Sequence, residues 1–212
     1  MKTLTHRQYL SLYKNTLNSG VHYLDRFRND DGSPMPRKGD VDAVDYLHCS
    51  IGIITELGEL HEALESGDVV NIAEEIGDCF WYMARFEEGL DLVDYFYNNK
   101  FKGVIAEISS MADTDTAISA LHIEASKLLD LAAKRSTFYG TRPENEKLKE
   151  RFMAVALPLF SLIELLKLNE AEIRFTNINK LQGPGGRFHK GFTIEEALNR
   201  NLESERKILE GK

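Results

Sequence analysis

The chain has 212 residues, with 34 acidic and 26 basic side chains and a formal net charge of −8. That length suits one moderately large domain or two small ones, and the acidic balance supplies no long-range attraction to nucleic acid or an anionic membrane, so neither is expected as a partner. No apolar run approaches the roughly 20 residues that span a bilayer, no signal peptide opens the sequence, and Cys49 and Cys79 lie in apolar helical contexts that suit reduced thiols; the expected location is cytoplasmic.

Nearly every periodic segment has helical spacing. Thr5 can cap a helix from His6 to about Phe27, and the Gly, Pro and Asp content of RNDDGSPMPRKGD, residues 28–40, predicts a loop after it. The next helix spans roughly Val44 to Leu64. Leu47, Ile51, Ile54 and Gly58 form one stripe on it, and Ile53, Leu57, Leu60 and Leu64 a second, roughly 100° around the axis, so burial on more than one side is expected. Ser66-Gly67-Asp68 breaks the pattern, and Asp68 is placed to cap a helix from Val69 to about Glu88. So short a connection makes the two helices antiparallel neighbours.

Beyond residue 90 the chain reads first as irregular helix and connection. Ile118, Leu121, Ala125, Leu128, Leu129 and Ala132 then mark one helix, and Phe152, Val155, Leu159, Leu162 and Leu166 another, with TFYGTRPENE between them. Pro158 inside the second predicts a kink or a late helix start. NKLQGPGGRFHKG, residues 179–191, cannot be regular helix, and Thr193 with Glu196 offers a capping box for a last helix running to about Leu209. The reading is an all-α bundle of antiparallel hairpins, a single domain over 1–212 with an inserted helical region at about 90–165. The pair around Leu121–Leu166 has the layout of the pair around Ile51–Glu87, with Glu124 at the place of Glu56, Lys127 at that of Glu59, and Met153 and Ala156 at those of Glu75 and Asp78. It is readable as a degenerate duplicate of the first hairpin.

The chemistry is concentrated in that first hairpin. Side chains three or four apart share a helix face, so Glu56 and Glu59 point together from one helix and Glu75 and Asp78 from the other, with Asn71 and Tyr82 on the latter stripe. Four acids converging between antiparallel helices would repel or raise one another's pKa. A hard divalent cation resolves that conflict, and all-oxygen ligation suits Mg²⁺ or Mn²⁺. No histidine or cysteine stands in the set, which argues against di-iron bundles with their Glu-x-x-His signature. The competing reading makes the acids solvated helix faces of a non-enzymatic structural or protein-interaction module. A phosphohydrolase built on histidine–aspartate pairs lacks its ligands, since the six histidines form no such pair at the motif.

LHCSIGIITELGELHEALESGDVVNIAEEIGDCFWY resembles the signature of the MazG-like, all-alpha nucleoside triphosphate pyrophosphohydrolases, a superfamily that includes the dimeric dUTPases. Its Glu-x-x-Glu, spacer, Glu-x-x-Asp motif is matched by Glu56, Glu59, Glu75 and Asp78. NINKLQGPGGRFHKGFTIEEALNR resembles the family's downstream Asn-x-x-Lys-Leu element, with Asn177, Lys180 and Arg187. The resemblance covers 47–85 and 174–201 and leaves 90–165 as an insertion. It implies a homo-oligomer, a dimer first, that hydrolyses a nucleoside triphosphate to monophosphate and pyrophosphate by metal-activated water. Glu59, or Glu56 in second place, would orient or deprotonate that water. Lys180, Arg187 and Lys190 would reach phosphate oxygens from the opposite wall and Asn177 the phosphate or sugar; Tyr82 and His48 are candidate substrate contacts, and Asn71 flanks the acids. GPGGRF, residues 183–188, lacks the Gly-Lys-Ser/Thr ending of a phosphate loop and reads better as a turn that positions Arg187. A dUTP-specific pyrophosphatase is the narrower alternative, suggested by subunit size.

Overall fold

The computed structural model describes residues 4–13, 43–92, 95–96, 99–133 and 144–211. Among them every regular element is a helix: α1 (His6–Tyr13), α2 (Ala43–Ser66), α3 (Val69–Gly89), α4 (Asn99–Met111), α5 (Thr114–Ala133), α6 (Asn145–Leu165), α7 (Glu170–Gln182), α8 (Ile194–Leu198) and α9 (Leu202–Leu209). The expected run of the first helix from residue 14 to Phe27, the loop at 28–40 and most of the connection at 137–146 lie outside the described residues.

The α2–α3 hairpin forms for reasons written into three residues. Gly67 takes φ +68°, a conformation that costs glycine little, so that its N–H and that of Asp68 bond back to the Leu64 and Ala63 carbonyls at 3.3 and 3.2 Å. Asp68 Oδ1 then accepts from the Val70 and Asn71 N–H groups at 3.1 and 3.2 Å, which starts α3 as expected. α2 and α3 pack along their lengths; α5 and α6 form a second hairpin, α5 covers α2, and α7 covers α3. The fold is thus an all-helical bundle of packed hairpins.

Among the described residues only one of the two apolar stripes of α2 is covered. Ile53, Leu57 and Leu60 are fully buried, whereas Ile51 is 47% exposed and Leu47 and Ile54 are half-buried. A ring cluster joins α3 to the inserted region: Phe86 stacks on Phe152 at 5.2 Å and Phe96 on Phe160 at 5.5 Å, and Phe80 meets Phe160 edge-on at 5.5 Å. Both cysteines are buried free thiols, as expected. Two boundaries differ from expectation. α6 runs through Pro158 from Asn145, without a late start. The last helix is two, because Asn201 caps α9 separately by accepting from the Ser204 N–H at 3.0 Å, after the Thr193–Glu196 capping box has started α8. No single helix among the described residues is long and apolar enough to cross a membrane.

Candidate active site

Spacing on two helices builds the acid cluster. Glu56 projects from α2, Glu75 and Asp78 from adjacent turns of α3, and one carboxylate oxygen from each lies within 4.8 Å of the others. Burial, then the charges of Asp78 and Glu59, raises the Glu56 carboxyl to about 7; burial, then Asp78, Glu74, Glu56 and Glu59, raises Glu75 to about 9. Such shifts are the signature of negative charge gathered without enough positive charge to offset it.

The positive charge that is present comes from α7, and its position revises an expectation. Lys180 is completely buried, and its Nζ donates to Asp78 Oδ2 and Oδ1 at 2.6 and 2.8 Å and to Glu74 Oε1 at 3.1 Å. It was expected on a wall opposite the acids; it stands among them. Burial disfavours the charged amine, but Asp78 and Glu74 more than reverse this, and the Lys180 pKa is raised. Asn177, one turn earlier, donates Nδ2–H to Asp78 Oδ1 at 2.5 Å. Gly77 makes that approach possible, since a Cβ there would sit 3.0 Å from the Cβ of Asn177. Asp78 is therefore held by two residues of the downstream element, and Glu74 shares the Lys180 ammonium with it.

A cleft of about 340 Å³ opens beside the cluster. Glu56 and Asp78 line it from the hairpin, and Arg187 and Arg200 line it from the segment after α7. His48, Trp81, Tyr82, Phe188 and Phe192 make its aromatic lining, with the Asp45–Arg85 ion pair, 2.7 Å, at the same side. The Tyr82 ring lies over Gly52, where a Cβ would come 2.3 Å from the ring carbons, and meets His48 edge-on at 5.6 Å. Trp81 is half-buried and lines the cleft; Phe80 is core.

The glycine-rich turn works as a positioning turn. The N–H groups of Arg187 and Phe188 donate to the Lys180 and Leu181 carbonyls at 3.0 and 2.6 Å, so these amides finish α7 and are not presented to a phosphate. Arg187 then forks onto Glu205 of α9, Nε at 2.8 Å and NH2 at 2.6 Å, and Arg200 reaches the same carboxylate at 3.1 Å. Neither Glu205 nor Arg200 was singled out from the sequence. Arg200 closes the ALNR end of the downstream element and could have been taken from it; Glu205 sits in the charged run ESERK, which reads as solvated.

The remaining expected residues fall elsewhere. Glu59 is exposed on α2, outside the cluster of three but near enough to raise both Glu56 and Glu75. Asn71 accepts from Arg206 at 2.7 Å, away from the residues that line the cleft. Lys190 and His189 are exposed, and neither lines the cleft.

Residues 47–102 match the model of the MazG nucleotide pyrophosphohydrolase domain. A MazG pyrophosphohydrolase domain is therefore present over that stretch, which contains α3 and nearly all of α2, with Glu56, Glu59, Glu75 and Asp78. Asn177, Lys180, Arg187, Arg200 and Glu205 lie outside it. No curated protein and no solved structure matches the chain.

Proposed function

We propose that the protein is a divalent-cation-dependent nucleoside triphosphate pyrophosphohydrolase that yields the monophosphate and pyrophosphate. The observation that carries this is the three-acid cluster of Glu56, Glu75 and Asp78, set in the MazG-matching hairpin and opening on a cleft that is also lined by Arg85, Arg187 and Arg200. The donor set fits Mg²⁺ or Mn²⁺: every candidate ligand atom is a carboxylate oxygen, and the raised pKa values of Glu56 and Glu75 mark a place where a cation would replace protons. When bound, such a cation would neutralise triphosphate charge and lower the pKa of water.

The chain's own residues supply the rest. Glu56, Glu75 and Asp78 would hold the cation, and Glu59 at the solvent edge of the cluster would complete the set or accept the proton of the attacking water, with Glu56 as second choice. Lys180 and Asn177 fix Asp78 and act on the reaction through it. Arg187 binds phosphate oxygens from the other side of the cleft, and Tyr82 and His48 contact the base or sugar. Lys190 and Asn71 have no part in this reading. Both thiols being buried and free suits a reducing cytoplasm, where nucleotides are. The half-exposed stripe of Leu47, Ile51 and Ile54 supports a homodimer through α2. The second hairpin suits a degenerate duplicate, because Glu124, at the place of Glu56, is neutralised by Lys127 at 2.5 Å and Arg151 at 3.6 Å.

Product analysis in ¹⁸O-labelled water tests the activity. A panel of nucleoside triphosphates, dUTP among them, is incubated with Mg²⁺ or Mn²⁺. Attack at the alpha phosphorus gives labelled monophosphate and unlabelled pyrophosphate; orthophosphate with a diphosphate product refutes the reading. The non-enzymatic alternative is separated by thermal melts, since a cation bound only by the folded state raises Tm and solvated acids give no specific response.

A further inference from the structure

We propose that Glu205 is a positioning residue that holds Arg187 and Arg200 together as one guanidinium clamp for the phosphate chain, with Arg200 as a further substrate-binding residue; this rests on the cleft being a nucleoside triphosphate site. α9 is a helix of 8 residues whose one buried side chain is this glutamate, 3% exposed, while Leu202 on the same helix is 65% exposed. Ile208 and Leu209 of this helix are only half-buried, so its one fully buried contact is made by a carboxylate. Its carboxylate receives three N–H groups, two from Arg187 and one from Arg200. Burial raises the Glu205 carboxyl, and the hydrogen bonds and charges of the two arginines outweigh it, so that its pKa is lowered and the group is ionised.

Two guanidiniums cannot share one side of a small cleft without a counter-charge between them, because like charges at that range repel. Glu205 supplies it. A guanidinium has five N–H donors, and Arg187 spends two on Glu205, so donors remain on both arginines for an incoming phosphate while the carboxylate fixes their planes. One glutamate against two arginines leaves a net +1 at the clamp, in a chain of net charge −8. Planar, pre-oriented guanidiniums suit a polyphosphate better than mobile lysines do. The clamp is also tied to the acid cluster, since Arg200 lies 3.6 Å from Glu74 and Glu74 lies 3.1 Å from Lys180, which bonds Asp78. Alternating charges thus run from α9 to the cluster, and the spacing between the clamp and the acids is held from both ends.

Calorimetric titration with inorganic tripolyphosphate in Mg²⁺ tests the clamp without needing the base identified. Wild type should bind, and Arg200→Ala and Glu205→Gln should each weaken binding by roughly tenfold or more. Glu205→Asp should recover part of the loss. The double variant Arg200→Ala/Glu205→Gln should lose less than the product of the two single losses. Mn²⁺ binding without tripolyphosphate should stay at the wild-type value in all of them, which a general loss of structure would not allow. Glu205→Gln binding as tightly as wild type, or tighter, overturns the proposal, because a carboxylate that merely competes with phosphate would give that result. Should Glu205→Gln fail to melt cooperatively, Arg200→Ala decides alone: its side chain is 37% exposed, and unchanged binding in it refutes the clamp. Wild type that fails to bind tripolyphosphate removes both the clamp and the triphosphate reading. Wild type that binds with these dependences yet hydrolyses no nucleotide removes the activity and leaves the clamp standing.

Discussion

Lys180→Met is the substitution that most sharply tests the account of the cluster. Methionine fills much of the lysine's volume but removes the cation bonded to Asp78 and Glu74 at 2.6 to 3.1 Å. Lysine is completely buried and its partners are only 18% and 11% exposed, so solvent cannot replace it. Removing one member of a buried pair costs about 3–5 kcal/mol; the low end applies here, since the acids keep some contact with water. For a domain of this size, where 1 kcal/mol moves Tm by roughly 2–4 °C, the loss is on the order of 10 °C. The pH dependence gives the sharper check. Lys180 lowers the Glu56 pKa in the wild type, so its removal raises the folded pKa of Glu56 further above its unfolded one. A group with a raised folded pKa contributes stability that is full below the unfolded pKa and fades as pH rises through the folded one. The deficit of Lys180→Met should therefore be small near pH 5 and large near pH 8. Urea melts of both proteins at the two pH values, in EDTA, measure it. A variant as stable as wild type at pH 8, or one whose deficit is larger at pH 5, would show that Lys180 does not neutralise the cluster. Added Mg²⁺ should narrow the gap at pH 8, as a cation takes up the charge that Lys180 leaves behind.

Glu75→Gln should abolish the Tm increase that Mn²⁺ gives the wild type and reduce turnover at least a hundredfold with helical content intact; retained turnover at saturating metal would remove Glu75 from the ligand set. In EDTA the wild type should lose stability between about pH 5 and pH 9, because the folded chain, with Glu56 at about 7 and Glu75 at about 9, binds more protons than the unfolded chain there; a Tm that rises over this range contradicts the raised pKa values. Over the same range Mg²⁺ affinity should increase by roughly tenfold per pH unit for each proton displaced, measured by calorimetry in buffers of different ionisation heat. Gly52→Ala should change stability by no more than about 1–2 kcal/mol, as better helix propensity offsets the clash, but should push the Tyr82 ring into the cleft; nucleotide affinity at the wild-type value would mean that the ring does not border the substrate.

The hairpin could be read from sequence because its determinants are local. Gly67 and Asp68 punctuate it, and the three-residue spacings of Glu56 with Glu59 and of Glu75 with Asp78 put each pair toward one side of its helix. What local rules could not supply is the partner of each charge. Lys180 and Arg187 looked equivalent, both cations after an asparagine, yet one turn of helix sends Lys180 inward to Asp78, while Arg187, beyond the helix end, meets α9. Of the kink or late start expected at Pro158, the late start is absent, because the buried residues around it, Val155, Ala156, Leu159 and Phe160, hold α6 in place against the missing hydrogen bond. The break before α9 did have a signal, Asn201 ahead of Leu202, but the continuing acidic and basic periodicity masked it.

The placement of Lys180 also decides how three acids can coexist before any cation arrives. Asp78 receives the donors of Lys180 and Asn177, three hydrogen bonds on its two oxygens, out of about four lone-pair positions. Glu56 and Glu75 receive neither donor, and their carboxyls are raised to about 7 and about 9. The cluster is thus divided: one carboxylate is fixed by α7, and two favour protons in the absence of a cation. Asp78 would offer a cation its remaining position and the two glutamates would give up protons to hold it, with the Lys180 contacts kept. Lys180 and Asn177 then orient Asp78 in the empty and loaded states alike. For that reason Asn177→Ala, which removes one of the two donors to Asp78 Oδ1 but leaves both Lys180 contacts, should weaken Mn²⁺ binding by a few fold at most, whereas Glu75→Gln removes a ligand outright. The reverse order of severity would mean that Asp78, and not the glutamate pair, is where the cation is gained or lost.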